Sequence, residues 1–552
     1  MIGIIAKEIE KDICKEFFEL FKTPWEFYRP NRSYDVIIST GYYKPQIKAK
    51  LVVIFGVNKT AFDDNLNIKK IENNKAILVE AYKLKFPIYK EVVTYGTELK
   101  SVVKVSGKNV SLGIETNSNK TRLLRIGYNL FNEIKFLLTE GQPKEFADYP
   151  TLEIHIMLIR SLIFDAGITF IEIPAVPSGY NFMVCLTHDV DFAGIKRHKI
   201  DSSVLGFLYR ALLCTFFDFI KGNASWKKLV TNWKSAFSLP LVHLGIIKDF
   251  WLQFEKYIEI EKDLAATYYM VPYKNRDGIN SSQKCAKGRA AKYDILDIKE
   301  EVRKLIACGC EIGLHGIDAW RDAQKASKEK QRIDSVTRKI TSGIRMHWLF
   351  FDGNTPQILD RAGFKYDTTF GYNDAVGYRG GTVQAFSPAK TKRLLELPMH
   401  IQDTSMFYPK RMGLTVNEAK KKISSLLNKA KFYGGVLTIN WHQRSIGPER
   451  LWHDFYEDLL KSLTKFKVWY GTASEIVDWF KIRRTISFQC RGKKSKKICI
   501  KFNNKQEKIK PPMILRIYRP NKVKSKLCPS SPKHCGYNEI LLNGNTEIDI
   551  YD

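Results

Sequence analysis

The chain has 552 residues, 44% of them hydrophobic, and a formal net charge of +31. That length exceeds one compact core, so two or three domains are expected, and ten cysteines without a Cys-x-x-Cys pair argue against a disulfide scaffold and against a common structural zinc site. The positive charge would suit an acidic partner such as nucleic acid, anionic lipid or an acidic glycan, but it is spread along the chain and no nucleic-acid module accompanies it, so no nucleic-acid partner is expected.

In chain order, Met1 to Lys22 mixes apolar and charged residues at helical spacing, with Lys7, Glu8, Glu10, Lys11 and Asp12 where an export signal would need an apolar core. Together with the cysteine pattern this points to a reducing, cytoplasmic setting. Strand-like runs follow at Asp35 to Thr40 and Leu51 to Phe55, then helical patterning around Thr121 to Leu138 and Leu152 to Ala166. These define an N-terminal α/β domain over residues 1–177, and Pro174, Pro177 and Gly179 mark its junction with the next.

Over residues 181–484 short apolar strands alternate with amphipathic helices, the pattern of parallel β/α architecture. Candidate strands are Phe182 to Leu186, Ala266 to Val271, Glu311 to Leu314, Ile344 to Leu349, Lys365 to Thr369, Leu394 to Met399, Gly435 to Asn440 and Val468 to Tyr470, about enough to close a barrel. Between the first two lies the longest apolar stretch, Val204 to Ile220. Arg210 and Asp218 interrupt it and it is short for a spanning helix, so an amphipathic or buried helix is expected, with peripheral attachment to a membrane surface as the alternative. Residues 485–552 read as a small β-rich appendage. It is basic, with eleven Lys or Arg from Arg483 to Lys510 against Glu507 alone, and its Cys490, Cys499, Cys528, His534 and Cys535 match no common zinc spacing.

Polar residues recur at the C-terminal ends of the candidate strands, the rim on which β/α barrels build their sites. The first strand ends in Thr187-His188-Asp189-Val190-Asp191. Side chains alternate along an extended segment, so Asp189 and Asp191 share a side; two carboxylates there suit a division of labour, one holding a cation and one taking a proton from water. An ordinary Asp-rich turn capping a strand is the alternative. Later strand ends supply Gly313-Leu314-His315-Gly316, then Gly343-Ile344-Arg345-Met346-His347-Trp348, then Leu437-Thr438-Ile439-Asn440-Trp441-His442-Gln443.

In order and spacing these four segments resemble the motifs of the polysaccharide deacetylase superfamily (NodB-homology domain, carbohydrate esterase family 4), in its Asp-Val-Asp subgroup. The resemblance covers about Asn181 to Lys481 and implies a distorted β/α barrel that uses a divalent metal, often zinc, to remove N-acetyl groups from an N-acetylated glycan or its precursor. It implies Asp189 as catalytic base, Asp191 and His315 as metal ligands, Arg345 as the residue that orients the base, and His442 as the general acid. Asp367 falls at a further family motif, and Leu437, Trp441 and Trp348 are implied on the substrate side. Where the family carries a second metal histidine four residues after the first, this chain has Ala319, with Arg321 two residues beyond it. Asp318, His188, His347 and His400 are the substitutes at hand, and His347 is taken as the third ligand. Two other functions stay open: a catalytically degenerate carbohydrate-binding or scaffold protein, and an amidohydrolase acting on a small amide.

Overall fold

In the computed structural model, which describes residues 1–40, 49–60, 63–64, 69–73, 77–96, 98–118, 121–199, 201–222, 224–490, 497–502, 510–520 and 536–549, the middle of the chain forms one all-parallel sheet. Its strands are β1 (Phe182–Val190), β2 (Ala266–Met270), β3 (Glu311–Gly316), β4 (Gly343–Met346), β5 (Tyr366–Asp367), β6 (Leu395–Glu396), β7 (Ile401–Gln402), β8 (Val436–Asn440) and β9 (Val468–Tyr470). The spatial order is β6-β5-β4-β3-β2-β1-β8-β7, and β9 also pairs with β1. Every position of β1 is buried, as expected of a parallel strand covered on both faces. The helices Lys299–Ala307, Ala323–Thr337, Val416–Tyr433 and His453–Leu463 contribute their apolar faces to the same core.

The protein is thus a mixed α/β fold with a parallel half-barrel sheet. One segment spans the gap between the sheet edges. Leu397 N donates to Asp367 O beside β5, and three residues later His400 N donates to Thr438 O of β8. The sequence suggests a single strand from Leu394 to Met399, but Pro398 lacks an N–H, and pairing breaks there into β6 and β7. All strand bottoms therefore lie together, and so do the C-terminal ends that carry the polar motifs.

An eleven-stranded sheet occupies the first 126 residues, parallel where Ile2–Ile5, Val36–Thr40, Leu51–Phe55 and Thr121–Ile126 pair, antiparallel beyond. Two segments expected to be helical differ. Ile2–Ile5 is a strand, and the helix begins only at Lys11; Thr121–Ile126 is a strand because Leu124 and Ile126 are buried within the sheet beside Leu51–Phe55. The following helix, Leu130–Thr139, starts where the Asn129 side chain accepts from Phe131 N and Asn132 N.

Near the C-terminus, Met513–Tyr518 pairs with both Phe170–Glu172 and Tyr537–Leu542, and Ile486–Cys490, Lys497–Phe502 and Thr546–Asp549 form another small sheet. The basic run opens on structural arginines: Arg483 is buried and donates to the carbonyls of Ile173, Glu19 and Leu20, and Arg484 pairs with Glu16. Cys528, His534 and Cys535 lie outside the described residues, as does the side chain of Cys490.

Candidate metal centre

Alternation along β1 sorts its last side chains onto opposite sides. His188 turns into the core, where Nδ1 lies 2.7 Å from Trp441 O, Nε2 lies 2.7 Å from Glu261 Oε1, and the ring stacks on Tyr268. Asp189 and Asp191 turn the other way and line a cavity of about 170 Å³ at the C-terminal rim of the sheet. The other walls include His315 from β3, His347 and Trp348 from just after β4, and His442, Arg411, Arg444 and Arg450.

Asp189 is fixed by two neighbours. Arg345 Nη1 donates to Oδ1 at 2.9 Å, and Asn440 Nδ2 donates to Oδ2 at 2.8 Å while its own carbonyl oxygen accepts from Asp189 N at 3.2 Å. Burial pushes the Asp189 carboxyl up, but the Arg345 guanidinium, with His315 and His442, outweighs it and holds the group below the usual carboxylate range. Arg345 is itself clamped by Thr187 Oγ1 at 2.9 Å, by Thr368 O at 3.1 Å and by the Tyr269 ring at 4.6 Å.

The second carboxylate meets two imidazoles. Asp191 Oδ1 lies 3.1 Å from His315 Nε2 and 3.1 Å from His347 Nδ1, and those nitrogens are 3.0 Å apart. The outer nitrogens face backbone carbonyls, His315 Nδ1 against Arg345 O at 3.1 Å and His347 Nε2 against Arg289 O at 2.9 Å. A carbonyl only accepts, so each neutral ring places its proton outward. In that neutral form both inner nitrogens are lone pairs converging on a carboxylate, whereas a charged ring would donate to it. Burial pushes Asp191 up, but His347 and His315, when charged and donating, more than offset it and hold its carboxyl well below the usual range; burial dominates at His347 and lowers its pKa despite Asp191.

With both rings neutral, the three side chains present convergent acceptors that form a hole for a cation. Their 3.0–3.1 Å spacing is close to the ~3.3 Å edge of a tetrahedron with ligand bonds of about 2.0–2.1 Å. The outer carbonyls supply the orienting contacts that metal-bound imidazoles commonly have. The Asp191, His315 and His347 side chains thus fit a divalent metal.

His347 reaches this position because the chain turns sharply after β4. Trp348 and Leu349 adopt left-handed backbone conformations with φ of 63° and 54°, which are costly for large side chains. Arg289 braces the turn, donating to His347 O at 2.6 Å, Gly316 O at 3.1 Å and Ile317 O at 2.7 Å. The other substitutes point elsewhere. Asp318 accepts from Ile279 N at 3.0 Å, and His400 uses both ring nitrogens on the backbone of Thr382 and Thr438. Ala319 is fully buried in the hydrophobic core.

Across the cavity His442 Nδ1 lies 2.6 Å from Asp403 Oδ1, its backbone N donates to Asp403 Oδ2 at 2.8 Å, and Nε2 lies 3.7 Å from Asp191 Oδ2. Burial disfavours the charged ring, yet Asp403, Asp191 and Asp189 together raise its pKa above the ordinary histidine value. The same wall is cationic. Arg444 pairs with Glu449 at 2.9 Å, whereas Arg411 donates to Thr404 Oγ1 at 2.7 Å, Arg450 donates to the Tyr408 hydroxyl, and neither forms an ion pair among the described residues.

Three residues expected on the substrate side do not reach the cavity. Leu437 and Trp441 are fully buried in the core, Trp441 stacked on Tyr456 at 5.0 Å, because both lie on the inward face of β8 and its extension. Asp367 is engaged by Thr369 N and Oγ1 and lies beside Glu396 on the neighbouring strand. Trp348 does line the cavity and is 44% exposed. Asn440, Asp403, Arg411 and Arg450 emerge only from the structure. Asn440 stands two residues before His442, and Asp403 directly follows β7, so the strand-end argument extends to both; the two arginines come from loops with no local pattern.

No protein-family model and no curated protein matches the chain. Solved structures that resemble part of it include a Mycobacterium smegmatis protein assigned as a polysaccharide deacetylase, 19% identical over 56% of this chain and 95% of that one, with a TM-score of 0.35. Puue allantoinase is 13% identical over 55% and 92%, with a TM-score of 0.34. A CE4 family pseudoenzyme from Bacillus anthracis is 12% identical over 55% and 69%, with a TM-score of 0.24.

Proposed function

We propose that this protein is a metal-dependent hydrolase with a NodB-like distorted barrel, which removes N-acetyl groups from amino sugars of a glycan or glycan precursor. The observation that carries the reading is the convergence of Asp191, His315 and His347 as bare acceptors, directly beside an ionised Asp189 and a protonatable His442. Zinc suits a set of one carboxylate and two imidazoles. When bound there, a divalent ion would lower the pKa of water and polarise the acetyl carbonyl.

The side chains then divide the work an amide requires. Asp189, kept ionised and aimed by Arg345 and Asn440, takes the proton of the attacking water. The water oxygen bonds to the acetyl carbon, the C–N bond breaks, and His442 delivers its proton to the departing nitrogen, giving acetate and a free amine. Asp403 keeps His442 charged and its Nε2 turned inward. Arg411 and Arg450, with no carboxylate within ion-pair distance among the described residues, favour a glycan bearing negative charge near the amide. The cavity is smaller than the ~300–1,000 Å³ of sites that enclose a whole ligand, which suits the reacting end of a larger molecule better than a small free amide. His347 stands where a third ligand is needed in place of Ala319, which supports the catalytic reading over a degenerate one.

The test is acetate release from N-acetylhexosamine oligomers by purified protein, with metal content measured in parallel. Metal at about one per chain and turnover lost in Asp189→Asn with metal retained is the expected result. A metal-free protein inactive on neutral and acidic substrates alike, after incubation with zinc, would overturn the reading.

A further inference from the structure

Between β1 and β2 the chain leaves the barrel for a helical insertion. Its first part, Ser202–Ile220, is helical throughout, with a π-helical turn at Tyr209–Cys214, and is long and apolar enough to cross a membrane by length and composition alone. Its packing shows two faces. Val204, Phe207 and Ala211 are buried, while Leu205, Tyr209, Leu213, Phe217 and Ile220 recur at helical spacing on the opposite side and are 51–64% exposed. The next helices, Trp226–Phe237 and Leu239–Leu244, repeat the pattern: Trp226, Trp233, Phe237, Leu241 and Leu244 lie on one outward stripe, with Phe237 and Leu244 each 72% exposed. The stripes touch, since Phe216 stacks on Trp233 at 6.0 Å and Phe219 meets Trp226 at 5.6 Å. One continuous apolar face results, far from the scattered exposed side chains of an ordinary surface.

Charge identifies what covers this face. From Phe192 to Phe250 the chain carries nine Lys or Arg against three Asp. A second copy docking face to face would oppose two such positively charged segments, whereas an anionic lipid surface complements them, and the Tyr and Trp that the stripes carry are suited to the headgroup region. The insertion is also bolted to the cavity. Phe207 packs on Trp251 at 6.0 Å, Trp251 lies 3.7 Å beneath the Arg444 guanidinium, and Arg444 and Phe192 line the cavity.

We propose that this insertion docks the protein in the plane of an anionic bilayer surface. The inference rests on the insertion alone and stands whether or not the cavity turns over an amide. The experiment is flotation of the full-length protein with phosphatidylcholine vesicles, with and without phosphatidylglycerol. Binding to the anionic vesicles, at least tenfold weaker in 0.5 M salt and at least tenfold weaker for Leu213→Glu/Phe237→Glu, is expected. Circular dichroism checks that the double variant, altered only at exposed positions, stays folded. The proposal falls if neither vesicle binds, if the double variant floats unchanged, if carbonate washing fails to release the protein as it would a spanning chain, or if the double variant instead dissociates a dimer in sedimentation.

Discussion

Asp189 and Asp191 stand at the end of β1; Asp367 and Glu396 stand side by side on β5 and β6, and Asp189, Asp367 and Glu396 are almost fully buried in the same half-barrel. Their charges are handled in opposite ways. Burial opposes ionisation at both pairs, but at the first pair Arg345 and the facing histidines overcome it, and both carboxyls stay ionised. At the second pair the contacts are hydroxyl and backbone N–H groups, so burial and mutual repulsion prevail, and both pKa values rise, that of Glu396 well above the usual range. Burial therefore does not mark a reactive carboxylate in this fold. The mark is a cationic partner in contact, which leaves a fixed negative charge facing the cavity.

The sharpest way to break that contrast is to remove the imidazole that completes the first site. His347→Ala should abolish both metal binding and turnover, read by elemental analysis and acetate release, while His400→Ala, on a ring that serves only the backbone, should keep the metal. Next in size is Arg345→Met. It leaves Asp189 buried without its cation, and losing one partner of a buried pair costs about 3–5 kcal/mol, so denaturant unfolding should show a loss of that order. Asp403→Asn should be milder for folding and lower kcat by about 10²-fold or more. Because Asp403 raises the His442 pKa, the alkaline limb of the pH–rate profile should also move to lower pH. An unmoved limb would show that another group donates the proton.

Much of this contrast was legible in the sequence at the level of strands. Short apolar runs located every strand of the parallel sheet except the two-residue β7, because buried parallel strands are hydrophobic on both faces and have few other readings. The Asp189/Asp191 alternation follows from the pleat and needs no tertiary knowledge. What the sequence left open was set by contacts between strands. His347 could be chosen over Asp318 and His400 with a physical reason only once the left-handed turn at Trp348 and the Arg289 brace were visible. Leu437 and Trp441 belong to the inward face of β8 and its extension, which motif order does not encode. Thr121–Ile126 likewise reads as helix by composition and becomes a strand because Leu51–Phe55 lies beside it.

The smallest effect is the most discriminating for the second pair. A buried carboxyl with a raised pKa keeps its proton in the folded state over a range where the unfolded chain has lost it. Stability therefore declines as pH climbs from the ordinary glutamate value of about 4.3 toward the raised one, then levels off. In Glu396→Gln the side chain is neutral at every pH and still offers a carbonyl oxygen to Phe370 N, which donates to Glu396 Oε1 at 2.9 Å in the native protein. Glu396→Gln should thus melt close to the native protein at pH 5 and above it at pH 8, by about 1–2 kcal/mol. The same exchange at the first pair, Asp189→Asn, would strand Arg345 and destabilise the fold at both pH values. If Glu396→Gln instead lost stability as pH rose, the second carboxylate would be ionised in the folded protein, and the two acidic pairs would be alike after all.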